Sequence, residues 1–151
     1  MTVLNVGDVA PAFNLPDQDG RVTSSKDLAG SRYVLYFYPA DDTPGCTIEA
    51  CAFNENLEAF QKARVPVLGV SPDGAESHER FRSKFGLRFS LLSDPTREAL
   101  EAYGAWGERP GRGLGVIRST FLVGGDGTIQ KAWYFVTAKG HAEEVLEALR
   151  T

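Results

Sequence analysis

The sequence predicts an α/β domain in which helices flank a central mixed sheet and a hairpin lies at the N-terminus. The run of aromatic and apolar residues at 33–38 is typical of a strand buried on both faces. Apolar runs alternate along the chain with stretches of helical spacing, as in α/β folds. Two late β-favouring runs around Gly124 and Gly127 indicate a hairpin, which makes the sheet mixed. Because the chain has 151 residues, of which 42% are apolar, we expect one domain over 1–151.

The N-terminal third supplies the hairpin and the central strand. Phe13 and Leu15 lead into a turn at 16–20, and residues 21–23 leave it, which predicts two paired strands. Residues 25–28 resemble a short capped turn. Pro39 then ends the central strand, because proline cannot donate to a sheet ladder.

The rest of the chain alternates between helix and strand patterns. Phe53, Leu57 and Phe60 at i, i+4 and i+7 predict a helix over 47–63. The elements expected after it are a strand at 65–70, a helix at 76–85, a strand at 89–92, a helix from Pro95 to Tyr103, a glycine-rich loop at 104–115, strands at 119–123 and 128–135, and a helix at 142–149.

Charge and hydropathy restrict the partners. Lys and Arg number 16 against 20 Asp and Glu, a net charge of −4, so nucleic acid is not expected to bind. No apolar run reaches the ~18 residues that a membrane-spanning helix requires. Residues 1–8 lack the basic and apolar regions of a secretion signal. We therefore expect a cytoplasmic protein without a membrane partner.

The two cysteines, Cys46 and Cys51, carry the chemical prediction. A permanent disulfide is not expected in a reducing cytosol, which leaves redox-active, metal-binding and inert thiols as alternatives. Cys46 follows the central strand and precedes a helix. In open α/β sheets, sites form where strand C-termini meet helix N-termini. The pattern therefore places Cys46 at a candidate site.

Three features near Cys46 favour a thiolate, which is the reactive form of cysteine. The helix N-terminus offers unpaired N–H groups, and the hydroxyl of Thr43 is expected beside the sulfur. Arg118, at the start of the late hairpin, is the candidate cation. Glu49, one helical turn after Cys46, is expected to orient the guanidinium of that arginine.

The spacing of the cysteines predicts a conformational change. Residues five apart in a regular helix have Cα atoms ~8.7 Å apart, from the rise and rotation of the helix. A disulfide requires Cα atoms within ~6.8 Å. If Cys46 and Cys51 react with each other, the first turns of the helix must therefore unwind.

Four segments carry a resemblance to a known family: YFYP at 36–39, TPGCT at 43–47, EACAF at 49–53 and RSTF at 118–121. They resemble the peroxiredoxins, and within them the Q-type or bacterioferritin-comigratory-protein subfamily. Weaker matches continue along most of the chain, among them GVSPD at 69–73 and LLSDP at 91–95. The loop at 107–113 departs from the more basic loop expected in that subfamily.

The resemblance implies a thioredoxin-like fold and the reduction of hydrogen peroxide and organic hydroperoxides without a metal or other cofactor. It makes Cys46 the peroxidatic cysteine, activated by Thr43 and Arg118, with Pro39 shielding the pocket. It makes Cys51 the resolving cysteine of the same chain, so that a monomer suffices. It also implies recycling of the disulfide by thioredoxin or a similar dithiol reductant.

Other interpretations of the same residues stay open at this point. Both cysteines could be inert, or could bind zinc with His78 and His141, although the spacing matches no compact zinc pattern. Both histidines are otherwise expected at the surface or at helix caps. A general thiol–disulfide oxidoreductase would favour Cys-x-x-Cys, whereas four residues separate these cysteines. A non-catalytic thioredoxin-like binding module would not require Thr43 and Arg118.

Overall fold

The structure, a computed structural model, describes residues 3–150. Met1, Thr2 and Thr151, at the ends of the expected domain 1–151, lie outside the described residues. The strands are β1 Asn14–Pro16, β2 Val22–Ser24, β3 Tyr33–Phe37, β4 Val67–Ser71, β5 Ser90–Ser93, β6 Trp106–Arg109, β7 Gly113–Val116, β8 Ser119–Val123 and β9 Ile129–Trp133. The helices are α1 Pro44–Glu55, α2 Leu57–Lys62, α3 Ala75–Phe85, α4 Glu98–Ala102 and α5 His141–Ala148, with a 3-10 helix at Ser25–Leu28.

Five strands form the central sheet in the order β5-β4-β3-β8-β9. Strands β3, β4 and β5 are parallel, whereas β8 runs antiparallel to both β3 and β9. The expected mixed sheet is therefore confirmed, as is the N-terminal hairpin, in which β1 pairs with β2. Within residues 3–150, no helix has the length and apolar character required to cross a bilayer.

The sheet separates two hydrophobic cores, which explains why β3 is apolar at every position. Leu35 and Phe37 point into a core shared with α4 and the N-terminal hairpin. Val34 and Tyr36 point into a core shared with α1, α2, α3 and α5. Because successive side chains of a strand alternate between faces, a strand covered on both sides must be apolar throughout. Helices flank the sheet as predicted.

The helix expected over 47–63 differs in its start and in its continuity. It begins at Pro44, because proline is tolerated at the first helical position, where no N–H is needed. It then breaks at Asn56, whose side-chain amide and backbone N–H both donate to the carbonyl of Ala52. The two pieces are α1 and α2. Cys46 therefore lies inside the first turn of α1, three residues after the N-cap Thr43.

Two further predictions, the start of one helix and the type of one segment, were wrong. The helix expected from Pro95 begins only at Glu98, because Arg97 adopts φ 65° and interrupts the helical path. The region 104–115, expected as a loop, contains the β6–β7 hairpin. The guanidinium of Arg109 stabilises its turn by donating to the carbonyls of Gly113 and Leu114, a contact that residue patterning does not show.

Candidate active site

Cys46 lies where the C-terminal end of β3 meets the first turn of α1. The stacking of Phe53 on Tyr36, with ring centroids 4.7 Å apart, fixes α1 against β3. Cys46 is 2% exposed, and its thiol is not part of a disulfide.

Arg118 donates to this sulfur. Arg118 follows the β6–β7 hairpin and directly precedes β8. Its Nη2 lies 3.3 Å from Cys46 Sγ. Gly45 leaves room for the contact, because a Cβ at that position would lie 3.1 Å from Nη2. The main chain of Arg118 is held from the other side, where the N–H of Val136 donates to its carbonyl at 2.9 Å. The sequence prediction thus paired two residues 72 positions apart that the fold brings into contact.

Glu49 holds the other arm of the guanidinium. Its Oε1 accepts from Arg118 Nη1 at 2.6 Å, and the glutamate is fully buried. Its Oε2 has no hydrogen-bond partner among residues 3–150. Burial raises the pKa of Glu49 from 4.5 to about 7, even though Arg118 pulls it down. Burial disfavours the charged form of Arg118 and by itself lowers the pKa of the guanidinium. The nearby Glu49 and then Cys46 outweigh this effect, so that the pKa is raised.

The position of Glu49 predicts how stability varies with pH. Because its folded pKa of about 7 exceeds the ordinary 4.5, the folded chain binds this proton more tightly than the unfolded chain. The resulting stability is fully present below pH 4.5 and is lost as the pH rises through about 7. The loss amounts to ~3 kcal/mol at ~1.4 kcal/mol per pH unit. Glu49→Gln is expected to remove this dependence.

Denaturant unfolding of parent and variant at mildly acidic and mildly alkaline pH measures the difference. The control is Glu58→Gln, since Glu58 is exposed and forms a helix pair with the exposed Lys62. An unchanged pH dependence in Glu49→Gln would show that the carboxyl does not take up a proton in the folded chain near neutrality.

Thr43 and Pro39 lie in the loop between β3 and α1. The hydroxyl of Thr43 donates to the carbonyl of Ala40 at 2.8 Å and makes no capping bond to the helix. Since that proton is engaged, the oxygen can only accept a further hydrogen bond. Within the described chain, no hydrogen bond joins Thr43 to Cys46. Pro39 directly follows the last buried residue of this strand region, Tyr38, and is half-buried.

Cys51 lies on the same uninterrupted helix as Cys46. Its thiol is free and half-buried. Burial, and then the nearby Glu55, raise the pKa of this thiol. In the intact helix the five-residue spacing keeps the two cysteines beyond disulfide distance.

Neither histidine lies at the surface, which was one of the two positions predicted for them, although His141 does begin α5. His78 is 0% exposed and bonds to Asp41 and to the carbonyl of Leu92. His141 is 2% exposed and bonds to Thr120 and Glu144. Both were missed because a histidine near a helix end gives no sequence signal for burial. Across residues 3–150, no three His, Cys, Asp or Glu side chains cluster as metal ligands would.

Comparison with known proteins identifies the family. A model of the AhpC/TSA family matches residues 6–132. The chain belongs to the AhpC/TSA family. A relative named as a peroxiredoxin in Mycobacterium tuberculosis is 52% identical over 147 residues, covering 95% of this chain and 94% of that protein. Peroxiredoxin Bcp of Escherichia coli is 41% identical over 153 residues, covering 99% and 98% of the two chains.

Solved structures agree with these relatives. A cysteine mutant of peroxiredoxin Q from Xylella fastidiosa superposes with a TM-score of 0.94 at 36% identity, covering 99% of this chain and 98% of that one. A structure of the bacterioferritin comigratory protein of Xanthomonas campestris, described in connection with alkyl peroxide reduction, gives 0.89 at 38% identity, with the same coverage. The resemblance to Q-type peroxiredoxins and the thioredoxin-like fold are thus confirmed. This AhpC/TSA member is a peroxidase, an oxidoreductase that acts on peroxides.

Proposed function

We propose that the chain reduces hydrogen peroxide and organic hydroperoxides through Cys46. The observation that carries this proposal is the guanidinium of Arg118, held by buried Glu49 and donating to the sulfur at 3.3 Å. The thiolate attacks the terminal peroxide oxygen, and an S–O bond forms as the O–O bond breaks. Cys46 becomes a sulfenic acid, and the leaving oxygen takes a proton to give water or an alcohol.

The neighbouring residues act on the charge that moves during this step. Charge leaves the sulfur and builds on the departing oxygen, and a planar guanidinium can donate to both. The oxygen of Thr43, whose own proton is engaged by Ala40, accepts from the peroxide O–H and so orients the substrate. Pro39 restricts access from the loop side. Glu49 holds the guanidinium of Arg118 in the orientation that faces the sulfur.

In the second step, the thiol of Cys51 attacks the sulfenic sulfur and releases water, which leaves an intramolecular disulfide. The first turns of α1 unwind for this step. Thioredoxin or a similar dithiol then reduces the disulfide by exchange, reaching it at the more exposed Cys51. Since both cysteines belong to one chain, a monomer over 1–151 in the reducing cytoplasm suffices.

A coupled assay with NADPH, thioredoxin reductase and thioredoxin tests the proposal, together with mass spectrometry of the oxidised chain. We expect peroxide-dependent NADPH oxidation and a product lighter by two hydrogens, with Cys46 linked to Cys51. A general thiol–disulfide oxidoreductase would instead reduce protein disulfides without peroxide. A binding module would do neither, and either result would refute the proposal.

Arg118→Met is expected to slow the oxidation of Cys46 ~10²–10³-fold, the usual effect of removing one preorganised donor. The oxidation rate of Arg118→Lys should lie between the rates of the parent and of Arg118→Met. An ammonium keeps the charge but cannot contact Glu49 and the sulfur with one planar group. Stopped-flow mixing with hydrogen peroxide measures the rate constant. Arg150→Met is the control, since among residues 3–150 the guanidinium of Arg150 pairs with exposed Glu147 alone. Unchanged oxidation in Arg118→Met would exclude the proposed role.

A further inference from the structure

We propose that His78 is a positioning residue for the oxidation of Cys46, which holds the β3–α1 loop through Asp41. The inference rests on the proposed peroxidase chemistry of Cys46. His78 belongs to α3 and does not contact the sulfur. It acts through a cluster of side chains, here called the Asp41 clasp, that consists of Asp41, Tyr38, Ser77 and His78.

Both ring nitrogens of His78 have a partner. Nε2 lies 3.0 Å from the carbonyl oxygen of Leu92, which can only accept, so that Nε2 donates. Nδ1 lies 2.7 Å from Asp41 Oδ2. Burial opposes ionisation of Asp41, but hydrogen bonds led by that from His78 outweigh it and lower the pKa of the carboxyl. The buried ring is therefore held at both nitrogens, between Asp41 and the carbonyl of Leu92.

Side chains from three neighbouring segments hold Asp41. Its carboxylate accepts from the hydroxyl of Tyr38 at 2.5 Å and from that of Ser77 at 2.7 Å, in addition to His78. Its backbone N–H donates to Asp73 Oδ2 at 2.7 Å. The loop is thus tied to the region after β3, to α3 and to the turn that follows β4. A buried charge with this many partners holds its position rigidly.

The clasp reaches the reacting atoms through a single peptide group. The N–H of Asp41 and the carbonyl of Ala40 belong to the same planar unit. Asp73 holds the N–H end, and the carbonyl end receives the hydroxyl of Thr43 at 2.8 Å. Rotation of this peptide would turn the Thr43 hydroxyl and its accepting lone pairs. Asp73 and the clasp together therefore fix the acceptor that orients peroxide.

The next residue shows that the loop needs such a hold. Asp42 adopts φ 57°, a left-handed conformation that a residue with a Cβ rarely takes. The clasp fixes the chain immediately before Asp42, and α1 fixes it from Pro44 onward. An exposed bond from Lys84 to the Asp42 carboxylate, 2.7 Å long, adds a second tie to α3. Without the clasp, the strained residue is free to relax and to shift Thr43.

His78→Gln, Asp41→Asn and the double variant test the inference, each compared with the parent for two reactions of Cys46. One is oxidation by hydrogen peroxide, and the other is alkylation by iodoacetamide, which does not require the Thr43 acceptor. We expect each single variant to lose about ten- to hundredfold in peroxide oxidation, the scale of a small misplacement at a reacting centre. Alkylation should change far less. The double variant should be no slower than the slower single variant.

Leu100→Ala is the control, because it removes buried side-chain volume from the core on the other face of the sheet. It should lower the melting temperature and leave both rate constants near those of the parent. Equal loss of oxidation and alkylation in His78→Gln would mean that His78 only supports the fold and would overturn the inference. So would parent-like oxidation in that variant. A parent that fails to consume peroxide would instead refute the proposed function.

NMR of the unmodified protein provides a measurement that needs no variant. Long-range ¹H–¹⁵N spectra should show a proton on Nε2 of His78, since this nitrogen donates to the carbonyl of Leu92. A bare Nε2 would contradict the placement of the ring between Leu92 and Asp41 and overturn the inference.

Discussion

Cys46→Ser is expected to abolish thioredoxin-coupled peroxide reduction, a loss of at least ~10³-fold on the scale of nucleophile removal. A serine hydroxyl is nearly isosteric with the thiol but stays protonated near neutrality and cannot take the oxygen of a peroxide. The neighbouring groups, Arg118 and Glu49, would keep their own ion pair, which does not depend on the sulfur. The loss therefore measures chemistry and not folding.

Two measurements make this result specific. Thermal unfolding should show that Cys46→Ser retains the stability of the parent within the small range of a conservative replacement. Addition of hydrogen peroxide should leave its mass unchanged, because burial and the nearby Glu55 raise the pKa of the half-buried Cys51 thiol. Peroxide consumption that survives in Cys46→Ser would place the reacting atom elsewhere and refute the proposed function.

The sheet was predictable because its signal is local and redundant. Strand β3 is apolar at every position, since both faces are covered, and turn residues mark the β1–β2 and β8–β9 hairpins. The boundaries that failed depend on single side chains. Asn56 ends α1 by donating to the carbonyl of Ala52, and Arg109 builds a hairpin turn out of a glycine-rich segment. Such contacts form only once the chain has folded.

The candidate site likewise combines residues that the sequence predicts with contacts that it does not specify. Cys46, Arg118 and Glu49 were predicted from residue type and position, and the structure brings the three side chains into one hydrogen-bonded chain. The hydroxyl of Thr43 points to the carbonyl of Ala40, an orientation that the sequence does not specify. The burial of His78 was missed altogether, because its two partners lie 37 and 14 residues away along the chain.

Cys51→Ser is expected to allow one oxidation of Cys46 and then to stop turnover with thioredoxin. Without a second thiol in the chain, the sulfenic acid formed at Cys46 has no partner with which to condense. Mass spectrometry after one equivalent of peroxide should show one added oxygen, whereas the parent should show the loss of two hydrogens. Stopped-flow oxidation should proceed at the parental rate, because Cys51 does not contact Arg118 in the described hydrogen-bond network. Normal turnover on thioredoxin would refute the resolving role.

The same variant separates oxidation from unwinding of α1. In the parent, a Cys46–Cys51 disulfide cannot form across an intact helix, so amide hydrogens in the first turns should exchange faster after oxidation. In Cys51→Ser, the oxidised sulfur forms no bridge, and the helix should keep its protection. The break at Asn56 already separates α1 from α2, so that α2 should stay protected in both proteins. If α1 of the oxidised parent exchanged as slowly as in the reduced protein, the cysteines would have to meet without unwinding, which the geometry of an α-helix forbids, and the intramolecular disulfide itself would be excluded.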